Sequence, residues 1–156
     1  WLITNLPERI VLTLQKDFVR KITSPPGSKK FVYTSFLANL FYKCEIVEEV
    51  PRNLFKPMPK VDSAVILMKR IDNQIMPREE ELNLIKILFT QKRKKLRNVI
   101  ASISEKLQLD LREVEDVFPV EVLDKRIYHL QPITLYECIH TISKLKSVIS
   151  NAEENR

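Results

Sequence analysis

Apolar and polar positions along the chain follow two regimes. In the first, short β-branched runs alternate with helical or proline-rich stretches. Arg9-Ile-Val-Leu-Thr-Leu-Gln15 is a compact apolar run that predicts a buried strand. Asp17 to Ile22 has helical spacing, and Thr23-Ser-Pro-Pro-Gly-Ser28 carries the residues of a loop. Between Phe31 and Tyr42, the residues Phe31, Phe36, Leu37, Leu40 and Phe41 fall on one face of a helix. Lys43 to Val50 predicts a second strand. Pro51 to Pro59 holds three prolines, which fix φ and push their predecessors toward extended backbone, so a stiffened loop is expected. Ser63-Ala-Val-Ile-Leu-Met68 predicts a third strand, closed by Lys69, Arg70 and a polar hinge, Ile71 to Pro77.

Beyond Pro77 the period changes. Arg78 to Leu107 has the spacing of one long helix, with Leu82, Ile85, Phe89, Leu96, Ile100 and Ile103 as its apolar stripe. Asp110 to Phe118 and Thr134 to Ile149 predict further helices, the last opened by Thr134 with Glu137 three residues on, as in a capping box. Strands first and helices afterwards give an α+β fold with a small helical domain behind it. The expected division is 1–72, a hinge at 73–77, a helical domain at 78–150, and a polar tail at 151–156 that frays.

Composition narrows the chemistry. The 156 residues include one glycine, Gly27, where average usage of about 7% would give roughly eleven. A loop that brings backbone against a nucleotide or adenosyl group needs several glycines, so a complete Rossmann-type cofactor site is excluded within this sequence. The net charge is +6, from 26 Lys and Arg against 20 Asp and Glu, which is compatible with a polyanionic partner. Two cysteines, Cys44 and Cys138, form no C-x-x-C pair, and the two histidines, His129 and His140, lack an H-E-x-x-H context, so no metal site is expected. There is no apolar run of about 18 residues to span a membrane, and Glu8 and Arg9 interrupt the opening apolar stretch. With Trp1 in place of a Met start, the expectation is a soluble, cytoplasmic piece of a longer protein.

Two constellations stand out. Asn53-Leu-Phe-Lys-Pro-Met-Pro-Lys-Val-Asp-Ser-Ala-Val65 places Phe55 on a loop stiffened by Pro57 and Pro59, directly before a strand. Such a ring can stack a planar ligand, a contact of about 1–3 kcal/mol that ordering of a floppy loop would cancel. The bland alternative is that Phe55 plugs the loop onto the core. Between Ile85 and Asn98 there are six basic residues, Lys86, Lys92, Arg93, Lys94, Lys95 and Arg97, and no acid. On one helix these charges would repel, with few acid partners a turn away, and phosphates would relieve them by releasing counterions. The alternative is a solvated helical face. A third string, Asn5-Leu-Pro7, is similar to the Asn-Leu-Pro-Tyr motif of adenine methyltransferases, but Glu8 follows it and a strand begins at once, so it reads as a turn.

Taken together, Leu14-Gln-Lys-Asp17, Pro26-Gly-Ser-Lys29, Val50-Pro-Arg52, Phe55-Lys-Pro-Met-Pro-Lys-Val-Asp-Ser-Ala-Val65 and Phe89-Thr-Gln-Lys-Arg-Lys-Lys-Leu-Arg-Asn98 resemble the KsgA/Erm-type rRNA adenine dimethyltransferases in order and spacing from about Arg9 onward. The resemblance implies an α+β fragment: the last strands of a Rossmann-like methyltransferase sheet, followed by a small all-α C-terminal domain. It places the glycine-rich cofactor loop, the acidic ribose ligand and the Asn-Leu-Pro-Tyr motif upstream of Arg9. Where many relatives have Tyr-Gly-Arg-Leu-Ser, this sequence has Phe31-Val-Tyr-Thr-Ser35, without that Gly and Arg.

By the same resemblance, the full-length protein would transfer methyl groups from S-adenosylmethionine to adenine amines of small-subunit rRNA. Phe55 would stack the substrate base, while Lys60, Lys92, Arg93, Lys94, Lys95 and Arg97 would contact RNA. The partner would be a pre-ribosomal 30S-type particle, with no membrane association, and the protein would be monomeric. The fragment by itself would lack a cofactor site and be inactive. Two other classes fit the same residues: a non-catalytic RNA-binding module, and an organelle transcription-factor relative that binds DNA through the basic segment.

Overall fold

The computed structural model describes residues 6–72, 75–107 and 110–154. Asn5 of the Asn5-Leu-Pro7 string, residues 73–74 of the expected hinge and residues 155–156 of the expected tail lie outside them. The chain divides into two compact units, residues 1–76 and 77–156.

The first unit is built on a three-stranded antiparallel sheet in the order β1-β3-β2, with β1 Arg9–Gln15, β2 Tyr42–Val50 and β3 Ser63–Arg70. The middle strand is the one with the longest apolar run, as expected of a strand paired on both sides. Helices α1 (Lys16–Ile22) and α2 (Tyr33–Phe41) cover one face. Val19 and Ile22 of α1 and Ala38 of α2 meet Ala64 and Ile66 of β3, with Leu14, Cys44 and Met68 packed around them. The alternation of β3 puts Ala64 and Ile66 on the covered face, the period-2 pattern of a strand under helices. Ser35, fully buried, joins the two helices: its Oγ accepts the Val32 N–H at 3.1 Å and donates to the Lys21 carbonyl at 2.5 Å. Leu6 and Pro7 serve the fold through their carbonyls, which accept from Arg70 Nη1 and the Tyr42 hydroxyl.

One strand departs from its sequence pattern. Arg9–Gln15 forms as expected, but it is not buried: Val11 is 64% and Leu12 43% exposed. Val11, opposite Leu67, points to the sheet face away from the Ala64 and Ile66 core, while Leu12, opposite Ile66, lies on the core side but on a strand that pairs along one edge only among the described residues.

The second unit is helical: α3 Glu79–Thr90, α4 Leu96–Leu107, α5 Leu111–Val117, α6 Val120–Leu123 and α7 Pro132–Glu154. Asp110 caps α5, its carboxylate accepting the Arg112 N–H at 2.8 Å. The core gathers Ile85, Leu88, Leu96, Ile100, Leu123, Ile127, Leu130, Leu135 and Ile139. Glu81 lies fully buried among them, accepting the Arg78 N–H at 2.7 Å and reaching His140 Nδ1 on α7 at 2.7 Å.

Three helical expectations are corrected. The long helix over Arg78–Leu107 is two helices, interrupted at Gln91–Lys95. The backbone there finds partners outside the helical ladder, chiefly in residues 125–128, and these replace the missing i→i−4 bonds. The last helix begins at Pro132 rather than at a Thr134 cap, because Pro at the first helical position has no N–H to satisfy and Gln131 O already accepts from Leu135 N–H at 3.0 Å. The same helix runs to Glu154, so the backbone of four residues expected to fray is helical.

Candidate nucleic-acid interface

The basic residues of the second unit sit on a braced turn. Leu96 N–H donates to the Lys125 carbonyl at 2.9 Å, while Ile127 N–H and Tyr128 N–H donate to the Lys94 and Lys92 carbonyls, each at 3.2 Å. Lys95 and Arg126 form an isolated antiparallel bridge. Leu96 and Ile127, both fully buried, anchor the two segments from beneath. The main chain is therefore fixed while Arg93, Lys94 and Lys95 stay exposed, with Lys92 and Arg97 half-buried.

Packing brings acids that sequence spacing had missed. Asp124 lies 2.7 Å from Arg97 Nε, as an ion pair rather than an aligned hydrogen bond, and 3.5 Å from Lys95 Nζ. Glu115 lies 3.9 Å from Arg97 Nη1. The expectation of a helix whose cations lack acid partners is thus corrected twice: the segment is a turn, and two of its cations are paired through tertiary contacts. Lys94 Nζ donates to Gln91 Oε1 at 2.7 Å. Burial, then the neighbouring Arg93 charge, holds the Lys92 ammonium below the usual lysine range. The bracing segment also contributes the exposed Lys125 and Arg126, which the sequence did not single out. Their only sequence signal is the pattern Leu123-Asp-Lys-Arg-Ile127, charged residues between two apolar anchors.

Phe55 and Lys60 belong to the first unit. Gln15 and Val50 both lie opposite Ser63, so the ends of β1 and β2 and the start of β3 share one end of the sheet. The 51–62 loop spans that end. A single 3-10 turn, Arg52–Leu54, delivers Phe55 with extended backbone and its N–H on the Arg52 carbonyl at 3.2 Å. Phe55 is half-buried and stands outside the buried core of this unit; Lys60 is exposed. Beside the loop opens a cleft of about 560 Å³ lined by Gln15, Lys16, Asp17, Arg20, Arg52, Lys60, Val61 and Asp62.

An adenosyl cofactor would need backbone that approaches it closely. Gly27 has φ +88, but it closes a turn in which Ser28 N–H reaches the Pro25 carbonyl at 3.2 Å, and no atom lies within 4 Å of where its Cβ would sit. That glycine serves the turn. Among the described residues no group of three or more His, Cys, Asp and Glu could hold a metal ion, and no helix is long and apolar enough to cross a membrane.

Comparison with known proteins fits this architecture. The profile of the ribosomal RNA adenine dimethylase family matches residues 1–133. The chain is 35% identical over 140 residues to a probable ribosomal RNA small subunit methyltransferase A of Methanosarcina mazei, covering 88% of this chain and 52% of that protein. It is 40% identical over 95 residues to the ribosomal RNA small subunit methyltransferase A of Phocaeicola vulgatus, covering 60% of this chain and 34% of that one. A dimethyladenosine transferase from Plasmodium falciparum shares the fold, with a TM-score of 0.77 at 23% identity over 93% of this chain and 62% of that chain. The protein belongs to the ribosomal RNA adenine dimethylase family. It spans about half the length of the Methanosarcina relative, 52%.

Proposed function

We propose that this chain is the substrate-gripping portion of an S-adenosylmethionine-dependent rRNA (adenine-N6,N6)-dimethyltransferase acting on small-subunit rRNA, within a cytoplasmic pre-ribosomal 30S-type particle. Its three strands form the last part of a Rossmann-like sheet, and its helical unit is an RNA-binding domain. The observation that carries this function is the braced turn Lys92–Lys95, a rigid main chain that presents exposed cations. Phosphate contacts of this kind position an RNA without reading its sequence. Duplex RNA hides its base edges in a deep, narrow groove, which leaves shape and backbone as the features to grip.

The adenine amine is a poor nucleophile because its lone pair delocalises into the ring. An enzyme must therefore extrude the base and hold it in line with the methyl donor. Phe55 stacks the extruded ring in this reading, which its half-buried position at the sheet end, on a loop with three prolines, supports. The single glycine of the chain, spent on a turn, supports the reading that the chain by itself binds no S-adenosylmethionine and transfers no methyl group.

The test is the salt dependence of RNA binding. Replacing Lys92, Arg93 and Lys94 together with Ala should weaken binding to all RNA sequences alike and flatten the log–log salt slope by about 0.7–0.9 for each phosphate no longer neutralised. Unchanged affinity and slope would make the turn a solvated surface.

A further inference from the structure

The cleft beside the Phe55 loop is not accounted for by the basic turn, which lies on the other unit. Four cations line it: Lys16 and Arg20 from α1, and Arg52 and Lys60 from the loop. Its volume of about 560 Å³ is large for a lone anion and within the range of about 300–1,000 Å³ usual for small-ligand sites. The charges are not equally committed. Glu49 holds Lys16 and Arg20 in ion pairs. Arg52 is positioned through its backbone, whose N–H reaches Asp62 Oδ1 at 3.1 Å, and through Nη1, which reaches the Lys60 carbonyl at 3.2 Å. That leaves the rest of the Arg52 guanidinium without a hydrogen bond to protein among the described residues. The Lys60 ammonium and the Asp17 carboxylate have no partner at all among them.

We propose that this cleft is a second RNA-backbone site, taking the ribose phosphate next to the base stacked on Phe55. This rests on the stacking role given to Phe55 above. Arg52 and Lys60 face the phosphate oxygens, the guanidinium offering paired N–H donors and the ammonium a point charge. The free Asp17 carboxylate would repel a bare phosphate but accepts a hydrogen bond from a ribose 2′-hydroxyl, the group that separates RNA from DNA. Loop and cleft share the sheet end where strand termini converge, so base and backbone contacts come from one short segment, Arg52 to Lys60.

The experiment uses the 156-residue chain and a labelled adenine-containing single-stranded RNA, with DNA of the same sequence beside it, titrated at several salt concentrations. Lys60→Gln disturbs no bond within the protein, so its melting temperature should stay put while the salt slope for RNA falls by about 0.7. Arg52→Gln should lower the slope by a similar amount, with a melt run to account for the loop bond it removes. Asp17→Asn should narrow the preference for RNA over DNA. Phe55→Ala should reduce affinity without changing the slope, because stacking releases no counterions. If the Lys60 and Arg52 variants leave slope and affinity unchanged while the Lys92, Arg93 and Lys94 variant still weakens binding, the cleft proposal is overturned and the basic turn stands. If the cleft variants lower the slope but Phe55→Ala has no effect, the phosphate site is upheld and its place beside a stacked base is overturned. Equal loss of RNA and DNA binding, with no response to Asp17→Asn, overturns the assignment of a ribose contact.

Discussion

Asp124 holds Arg97 with Oδ1 2.7 Å from Nε and, through Oδ2, lies 3.5 Å from Lys95 Nζ. One carboxylate thus occupies two cations of the surface proposed to meet phosphate. All three side chains are at least a third exposed, and water screens such pairs to about 0–1 kcal/mol each. RNA could therefore exchange Asp124 for phosphate at small cost.

Asp124→Asn should release Lys95 and Arg97, raise RNA affinity at low salt and steepen the salt slope, at a cost in stability of no more than about 1 kcal/mol. Anisotropy titrations at two salt concentrations check this. Weaker binding with a large fall in melting temperature would mean that Asp124 is chiefly structural.

Glu81 makes a second, buried relationship, to Arg78 and His140. Burial alone would raise its carboxyl pKa. The Arg78 N–H, the His140 ring, the Arg78 guanidinium and the Arg78 charge together hold it below the usual value of 4.5. A carboxyl depressed in the folded state contributes stability that is fully present above the unfolded value and is lost as pH falls through the folded one. Melting temperatures of the native protein should thus decline on acidification below about pH 4.5, and Glu81→Gln should flatten that decline. Glu81→Ala, which removes a fully buried acceptor from the part-buried Arg78 N–H and from His140, should cost about 1–3 kcal/mol at neutral pH.

Phe55→Ala should separate stacking from packing. A fully buried phenylalanine costs about 3–5 kcal/mol on truncation, but Phe55 is half-buried, so less than about 2 kcal/mol is expected. In a protein that carries both this chain and a methyl-donor site, single-turnover methyl transfer should fall far more than rRNA affinity. A steep drop in the melt with rate and binding falling together would make the ring a plug.

Ser35→Ala should be costly for its size. It removes both the acceptor for Val32 N–H and the donor to the Lys21 carbonyl in a fully buried position, for about 1–3 kcal/mol in a denaturant titration. A change under about half a kcal/mol would show that water replaces both bonds.

The local pattern carried most of the first unit. Arg9–Gln15 and the strand after Asp62 were legible because β-branched runs between loop residues leave few other choices, and the three prolines of Pro51–Pro59 marked a loop. The break at Gln91–Lys95 was not legible. Leu88, Phe89 and Leu96 keep a helical rhythm across it, and what ends the helix is bonding to residues 125–128, some thirty positions along the chain. The same distance hid Asp124, Lys125 and Arg126 from any search by spacing. The cleft was hidden because its cations come from two separated stretches, joined only by the register of Gln15 and Val50 with Ser63. Lys60 was picked out from its string; Lys16 and Arg52 stood in quoted strings without a role, and Arg20 entered only through the fold.

The sheet also has two unlike borders. β2 carries Lys43, Glu45, Glu48 and Glu49 and a register shift between Ile46 and Glu48, and charges and kinks of this kind discourage a newcomer strand. β1 has neither device: after Arg9 it runs Ile-Val-Leu-Thr-Leu without a charge, paired with β3 alone among the described residues. Extension of this sheet is therefore favoured on the β1 side. A strand added to this sheet would meet the fewest obstacles along Arg9–Gln15, and that backbone is the expected starting point of self-association in concentrated protein.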